Sequence, residues 1–256
     1  MNRGIYPILS GAIAQEQRLQ VVTNNVANAH TNGYKKDEPL FRSVLSEART
    51  SGLGGGSGHN LFALGQGGTH KPLPHAFVHI QEHKTELAPG RLRETKNNLH
   101  VAIEGHGFFE IKTAQGLRYT KNGLFRMDNQ RRLVTVLGDP VMGPNGEIKL
   151  PPGEAKIKGD GSVTVDDNPA GVLKVVEFAE GSQPKKSGDG HFVGSDPIPV
   201  KTPSLVTGHL EESNVNSMQE MIKVISAMRN FEAAQKMIGA FDRVTESAIQ
   251  EVGRVV

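Results

Sequence analysis

At each end of this 256-residue chain the apolar residues recur at helical steps, and in the stretch between them they do not. Ser217-Met218-Gln219-Glu220 has the spacing of a capping box, and Met221, Val224, Met228, Phe231, Ile238, Phe241, Val244, Ala248 and Val252 follow at steps of mostly three and four. The spacing predicts one helix from about Asn216 to Val252, roughly 55 Å long at about 1.5 Å per residue. At the other end Ile5, Ile8, Leu9, Ala12, Leu19, Val22 and Val26 recur in the same way, with Gln15, Glu16, Gln17, Arg18 and Gln20 supplying the polar faces. That predicts a second amphipathic helix of about 37 Å from about Gly4 to Asn28. A compact domain that fits between them has a radius of gyration of about 13 Å, so it covers only part of either stripe. Leaving half a dozen side chains of the C-terminal stripe in water forfeits on the order of 10 kcal/mol, comparable with a whole domain's stability. The stripes either close on each other as an intramolecular hairpin or are covered by another subunit. Periodicity alone favours neither.

Between the ends the apolar residues come in short runs: Val101 to Ile103, Phe108 to Ile111, Leu117 to Tyr119, Leu133 to Leu137, Ser162 to Val165 and Val172 to Phe178. Turn signals separate them, among them Asn122-Gly123, Gly138-Asp139-Pro140, Pro144-Asn145-Gly146 and Gly159-Asp160-Gly161. The expected fold is therefore mainly β in the centre, an antiparallel sandwich or irregular barrel, flanked by long N- and C-terminal α-helices. The boundaries fall at 1–36 for the N-terminal helix and the Asn-rich turn after it, 37–73 for a connector, 74–203 for the β domain, and 204–256 for the C-terminal helix. Ser51 to Thr69 contains eight glycines but neither Walker spacing nor a strand-GxGxxG-helix arrangement, so it reads as linker. Glu180 to Pro203, rich in Gly, Pro, Lys and Asp, leads out of the β domain.

No catalytic chemistry is specified. There is no cysteine, which excludes disulfides, thiolate metal sites and cysteine nucleophiles. His75, His79 and His83 have helical metal-ligand spacing, but the alternation of Ala76, Val78 and Ile80 between them predicts a strand with a solvated histidine face. Ser57 in Gly55-Gly56-Ser57-Gly58-His59 lacks the second glycine of a nucleophile elbow. The paired acids Asp37-Glu38, Asp166-Asp167 and Glu211-Glu212 are read as solvated surface. No cofactor, metal site or active site is expected. The net charge of +2 is spread over both signs, which leaves no footprint for nucleic acid. No run approaches the roughly 20 apolar residues of a membrane span. Arg3, the run Ile5 to Ala14 and Ala12-Ile13-Ala14 imitate a secretory signal with its cleavage site, but helical spacing continues past the cut through Leu19, Val22 and Val26.

Thr23-Asn24-Asn25-Val26-Ala27-Asn28 followed by Thr31-Asn32-Gly33-Tyr34-Lys35-Lys36 closely resembles the N-terminal signature of bacterial flagellar rod and hook proteins. Glu104-Gly105-His106-Gly107-Phe108-Phe109, Tyr119-Thr120-Lys121-Asn122-Gly123 and Gly138-Asp139-Pro140-Val141-Met142-Gly143 resemble that family's central β motifs. Gly208-His209-Leu210-Glu211-Glu212-Ser213-Asn214-Val215-Asn216, leading into Arg229-Asn230-Phe231-Glu232-Ala233, resembles its C-terminal signature. Tyr34 stands where the family commonly has Phe, and His106 where an acidic residue is usual. Length and the β region place the chain nearest the proximal-rod branch, with the distal-rod branch second.

The resemblance implies a non-enzymatic polymer subunit of the flagellar basal body. Its terminal helices pack with those of neighbours as a coiled coil, and the resulting axial driveshaft transmits torque from motor to hook. Expected partners are copies of itself, other rod proteins and the flagellar type III export apparatus, which the chain leaves by without a cleaved signal, to a periplasmic position. The expected interface residues are Ile5, Leu9, Leu19, Val22 and Val26 at one end and Met221, Val224, Met228, Phe231, Ile238 and Phe241 at the other. Asn24, Asn25, Asn28, Gly33 and Tyr34 would set the angle at which the chain leaves the helix. The alternative is a β-domain binding protein or hydrolase with a closed helical hairpin.

Overall fold

The computed structural model describes residues 5–46, 75–179, 182 and 184–253. The Gly-rich stretch 51–69 lies outside them. Two helices bracket the chain, α1 (Ile5–Ala27) and α2 (Ser217–Gly253), both within a residue or so of their expected limits. Pro7 sits in the first turn of α1, where its missing N–H removes no intrahelical bond. Ala12 and Ala14 are buried within α1.

Among the described residues, the segment between the helices consists of short strands joined by turns and irregular loops. In chain order the strands are β1 (Asp37–Ser46), β2 (His75–Thr85), β3 (Leu92–Glu94), β4 (Val101–Ile103), β5 (Phe108–Thr113), β6 (Gly116–Thr120), β7 (Arg126–Met127), β8 (Leu133–Val134), β9 (Met142–Gly143) and β10 (Gly146–Glu147). They continue as β11 (Ala155–Ile157), β12 (Ser162–Val165), β13 (Asn168–Val172), β14 (Val175–Glu177), β15 (Lys185–Lys186), β16 (His191–Val193), β17 (Ile198–Pro199), β18 (Leu205–Thr207) and β19 (His209–Glu211). β2 bears out the strand reading of the histidine-containing segment. β1, which pairs with it, occupies the first ten residues of the expected connector.

The chain divides into two compact units. One comprises Met1–Gln20, Pro39–His83 and Ile225–Val256, and its described part is the outer length of both helices with the β1–β2 ribbon. The other comprises Val21–Glu38 and Lys84–Val224 and holds the remaining strands with the roots of both helices.

The second unit is built on a six-stranded sheet of order β15-β16-β6-β5-β14-β17, antiparallel at every pairing. A three-stranded sheet, β11-β12-β13, and short two-stranded ribbons complete it. Both faces of the large sheet are apolar, because successive residues of β5 point to opposite sides. Phe109 and Ile111 enter the main core with Val101, Phe125, Leu133, Val163 and Val175, where Phe109 and Phe125 meet edge to face at 5.0 Å. Phe108, on the other side, packs with Tyr119, Val176, Phe192 and Phe178 in a smaller cluster of edge-on rings.

Two expectations are corrected. The segment 180–203 does not simply lead away from the domain, because β15, β16 and β17 lie within it, with β15 and β17 as the two edges of the large sheet and β16 between β15 and β6. The run Leu133 to Leu137 is strand only over its first two residues. Gly138 N–H then closes a turn on Thr135 O at 3.0 Å, leaving Val136 and Leu137 exposed at its tip.

Candidate functional site at the roots of the terminal helices

α1 ends in the Asn-rich turn, whose side chains hold one another. Asn28 Nδ2 donates to Asn24 Oδ1 at 2.7 Å and to Asn24 O at 3.0 Å, while Thr31 Oγ1 donates to Asn28 Oδ1 at 3.1 Å. Asn25 is 1% exposed and uses its whole hydrogen-bonding capacity. Its Nδ2 donates to Asp37 O at 2.9 Å and to Glu220 Oε2 at 3.3 Å, and its Oδ1 accepts from Tyr34 Oη and Asp37 N–H, both at 3.1 Å. One side chain thus joins α1, the following strand and the first turn of α2.

Gly33 has a φ of +69°, and a Cβ placed there would meet Asn122 N and Lys121 C at 2.6 Å. Only glycine lets the turn approach the Lys121-Asn122 backbone so closely. Its N–H donates to Glu211 O at 2.7 Å, tying the turn to β19. Lys35 is fully buried and paired with Glu211 Oε1, which also accepts Gly90 N–H at 2.9 Å; Lys35 Nζ donates to Ala88 O at 2.8 Å as well. Asn214 Oδ1 accepts Lys36 N–H at 2.8 Å, and its amide donates to Glu86 O at 2.9 Å and Ala88 O at 3.2 Å. The N-terminal and C-terminal motifs therefore meet in one network.

Lys186 Nζ lies 3.9 Å from the centre of the Tyr34 ring and donates to Asp37 Oδ2 at 2.7 Å and to Lys35 O. Burial lowers the Lys186 amine's pKa, and Asp37 opposes that shift. Burial, with the charges of Asp37 and Glu220, raises that of the Tyr34 phenol. Lys121 is 1% exposed, donates to Gly105 O at 2.7 Å and lies over the Phe108 ring. Burial lowers its pKa to about 8, a shift that Lys35 deepens and Glu211 and Glu177 oppose.

These contacts correct the reading of Glu211 as solvated surface: it is 2% exposed, and only Glu212, paired with Arg93 at 3.0 Å, reaches the outside. The cap of α2 also lies one residue earlier than its spacing suggested. Asn216 Oδ1 accepts Gln219 N–H at 3.2 Å, while Glu220, 2% exposed, binds Asn25 and Lys223 instead of closing a capping box. Lys35, Asp37, Lys121, Lys186, Asn214 and Glu220 were missed as members of this site. Lys35, Lys121 and Asn214 lie inside the motifs that carry the family resemblance, but nothing local in those motifs distinguishes a buried lysine from a solvated one.

The expected interface residues separate by exposure. On α1, Val22 is buried, Leu19 and Val26 are half-buried and Leu9 is exposed; Ile5 opens the helix, and its side chain lies outside the described set. On α2, Val224, Phe231, Ile238 and Phe241 are half-buried on the face that holds the fully buried Ala227. Met221 and Met228 lie on a different face, 54% and 47% exposed, beside Met218, Ile222 and Ile225, which are also exposed. At about 100° per residue these five cover roughly a third of the helix circumference. What was read as one stripe is two, and the outer one was legible only in part.

Among the described residues no group of three or more His, Cys, Asp or Glu is placed to hold a metal ion, and no helix is long and apolar enough to cross a membrane. Helix roots locked to a β unit, with apolar helix faces left open, define a structural assembly protein. Three family profiles match: flagella basal body rod protein over residues 5–35, flagellar hook protein FlgE/F/G D1 domain over 102–165, and flagellar basal body rod FlgEFG protein C-terminal over 206–251. The chain is 32% identical to the flagellar basal-body rod protein FlgF of Escherichia coli, over 94% of this chain and 95% of that one. It is 30% identical to FlgF of Mesorhizobium japonicum over 99% of both, and 29% identical to FlgG of Bacillus subtilis over 97% and 98%. The chain belongs to the flagellar basal-body rod protein family. It is a non-enzymatic structural subunit of the rod.

Proposed function

We propose that the chain enters the rod through its two terminal helices, which pack with those of neighbouring subunits as a coiled coil and so transmit torque along the axis. The observation that carries this reading is the outer face of α2, where Met218, Met221, Ile222, Ile225 and Met228 stand in water on a 37-residue helix. Methionine and isoleucine in a continuous exposed row lose on the order of 1.5 kcal/mol or more each unless a partner covers them. The turn Asn24 to Tyr34, held through Asn25 and Gly33, sets the angle at which α1 leaves the β unit. Length and likeness to FlgF favour the proximal rod, with the distal rod as the other position. The periplasmic location and export through the flagellar type III apparatus, without a cleaved signal, follow from the same family reading.

The test is Met228→Glu in the full chain. Met228 is exposed, so the variant should keep its unfolding midpoint while the chain disappears from purified basal bodies, as quantified by mass spectrometry. Normal incorporation would remove the outer face of α2 from the interface.

A further inference from the structure

A groove of about 740 Å³ opens between the Asn-rich turn and two hairpin tips of the same unit. Asn28 and Thr31 form one wall, and Val136 and Leu137 form the other. Tight turns are normally polar, yet this one carries two aliphatic side chains, Leu137 being 62% exposed. At the rim, between Gly188 and Gly190, Asp189 adopts a φ of +50° and has no ion-pair partner among the described residues.

The outer face of α2 has matching properties. Met218, Ile222 and Ile225 share one line along the helix, and Arg229, on that same line, is exposed with no ion-pair partner among the described residues. From Met221 to Asn230 the helix carries no carboxylate, so the charge that this face presents is cationic. An apolar wall with a free acid at its rim thus has its complement in an apolar row with a free base at its end.

We propose that this groove receives the Met218–Arg229 face of α2 from a second copy of the chain, with Val136 and Leu137 packed on Ile222 and Ile225 and with Asp189 paired to Arg229. The proposal rests on the rod-subunit reading and divides the outer face within it: Met218, Ile222 and Ile225 go to the groove, and Met221 and Met228, to one side of that line, are left for the helices of neighbouring subunits. Groove and helix face are different surfaces of one molecule, so the contact is heterologous, the kind that builds an open helical assembly where the rotation between copies does not close a ring.

The absence of native cysteine makes the test clean. Full-length Leu137→Cys/Ile225→Cys, expressed in place of the wild-type chain, is oxidised in purified basal bodies and resolved by non-reducing electrophoresis. The expected result is disulfide-linked dimers and higher species, with each single-cysteine variant giving less than a tenth of that product. Adding Asp189→Arg should cut the cross-linked yield at least fivefold, and combining it with Arg229→Asp should restore it. Rods that contain the double-cysteine chain but yield no cross-link, or only a cross-linked monomer, would overturn the docking while leaving the rod reading intact. Absence of the unsubstituted chain from basal bodies purified in parallel from cells that express it would instead overturn both.

Discussion

Lys35 and Glu211 lie 176 positions apart and are both almost fully buried, so their pairing closes the β unit onto the end of the N-terminal turn. Removing one partner strands a charge in a medium that cannot solvate it. Lys35→Met should therefore lower the unfolding free energy by about 3–5 kcal/mol, and the double change Lys35→Met/Glu211→Leu should cost less than the single one. Urea titration of the three variants measures this. Lys121 makes a different prediction, because its amine has no ion-pair partner among the described residues and is held near a pKa of about 8. An unfolded lysine titrates near 10.4, so between about pH 8 and pH 10.5 the unfolded chain binds more protons than the native one. Lys121 should thus raise stability with pH across that window, by on the order of 3 kcal/mol in total, and Lys121→Met should remove this part of the rise when the two pH profiles of the urea midpoint are subtracted.

At the scale of elements, the start of α2 is set by Asn216, whose side chain accepts the third helical N–H. Asn216→Ala should cost about 1 kcal/mol, whereas Ser217→Ala should change little, and thermal unfolding distinguishes the two. Both helices and β2 were legible because their evidence is periodic and local. Apolar residues three and four apart mark a helix face whatever surrounds it, and the alternation from His75 to His83 marks a strand. What was not legible depended on distant partners. Nothing in Glu211-Glu212 reveals that one carboxylate faces Lys35 and the other Arg93. The outer strands β15, β16 and β17 are two or three residues long, too short for any period, and form where β16 adds to β6, β15 to β16 and β17 to β14. The single apolar stripe read on α2 was a real signal with its angle unresolved. Steps of three and four accumulate a drift around the helix, and the burial of Ala227 with the half-burial of Phe231, against the exposure of Met228, separates the two faces.

The whole molecule follows one division of labour. The β unit holds two apolar clusters and the buried polar network, while α2 runs on for 37 residues and keeps large apolar side chains in water as far as Val244 and Ile249. Such a chain is completed by assembly. Hydrogen–deuterium exchange of the chain, compared between the isolated protein and the chain within purified rods, tests this most directly, because packing suppresses the local opening that exposes helix amides. The account predicts that protection over Met218–Ile249 rises at least tenfold on assembly while the strands Val101–Ile111 stay unchanged. Equal exchange of α2 in the two states would contradict it.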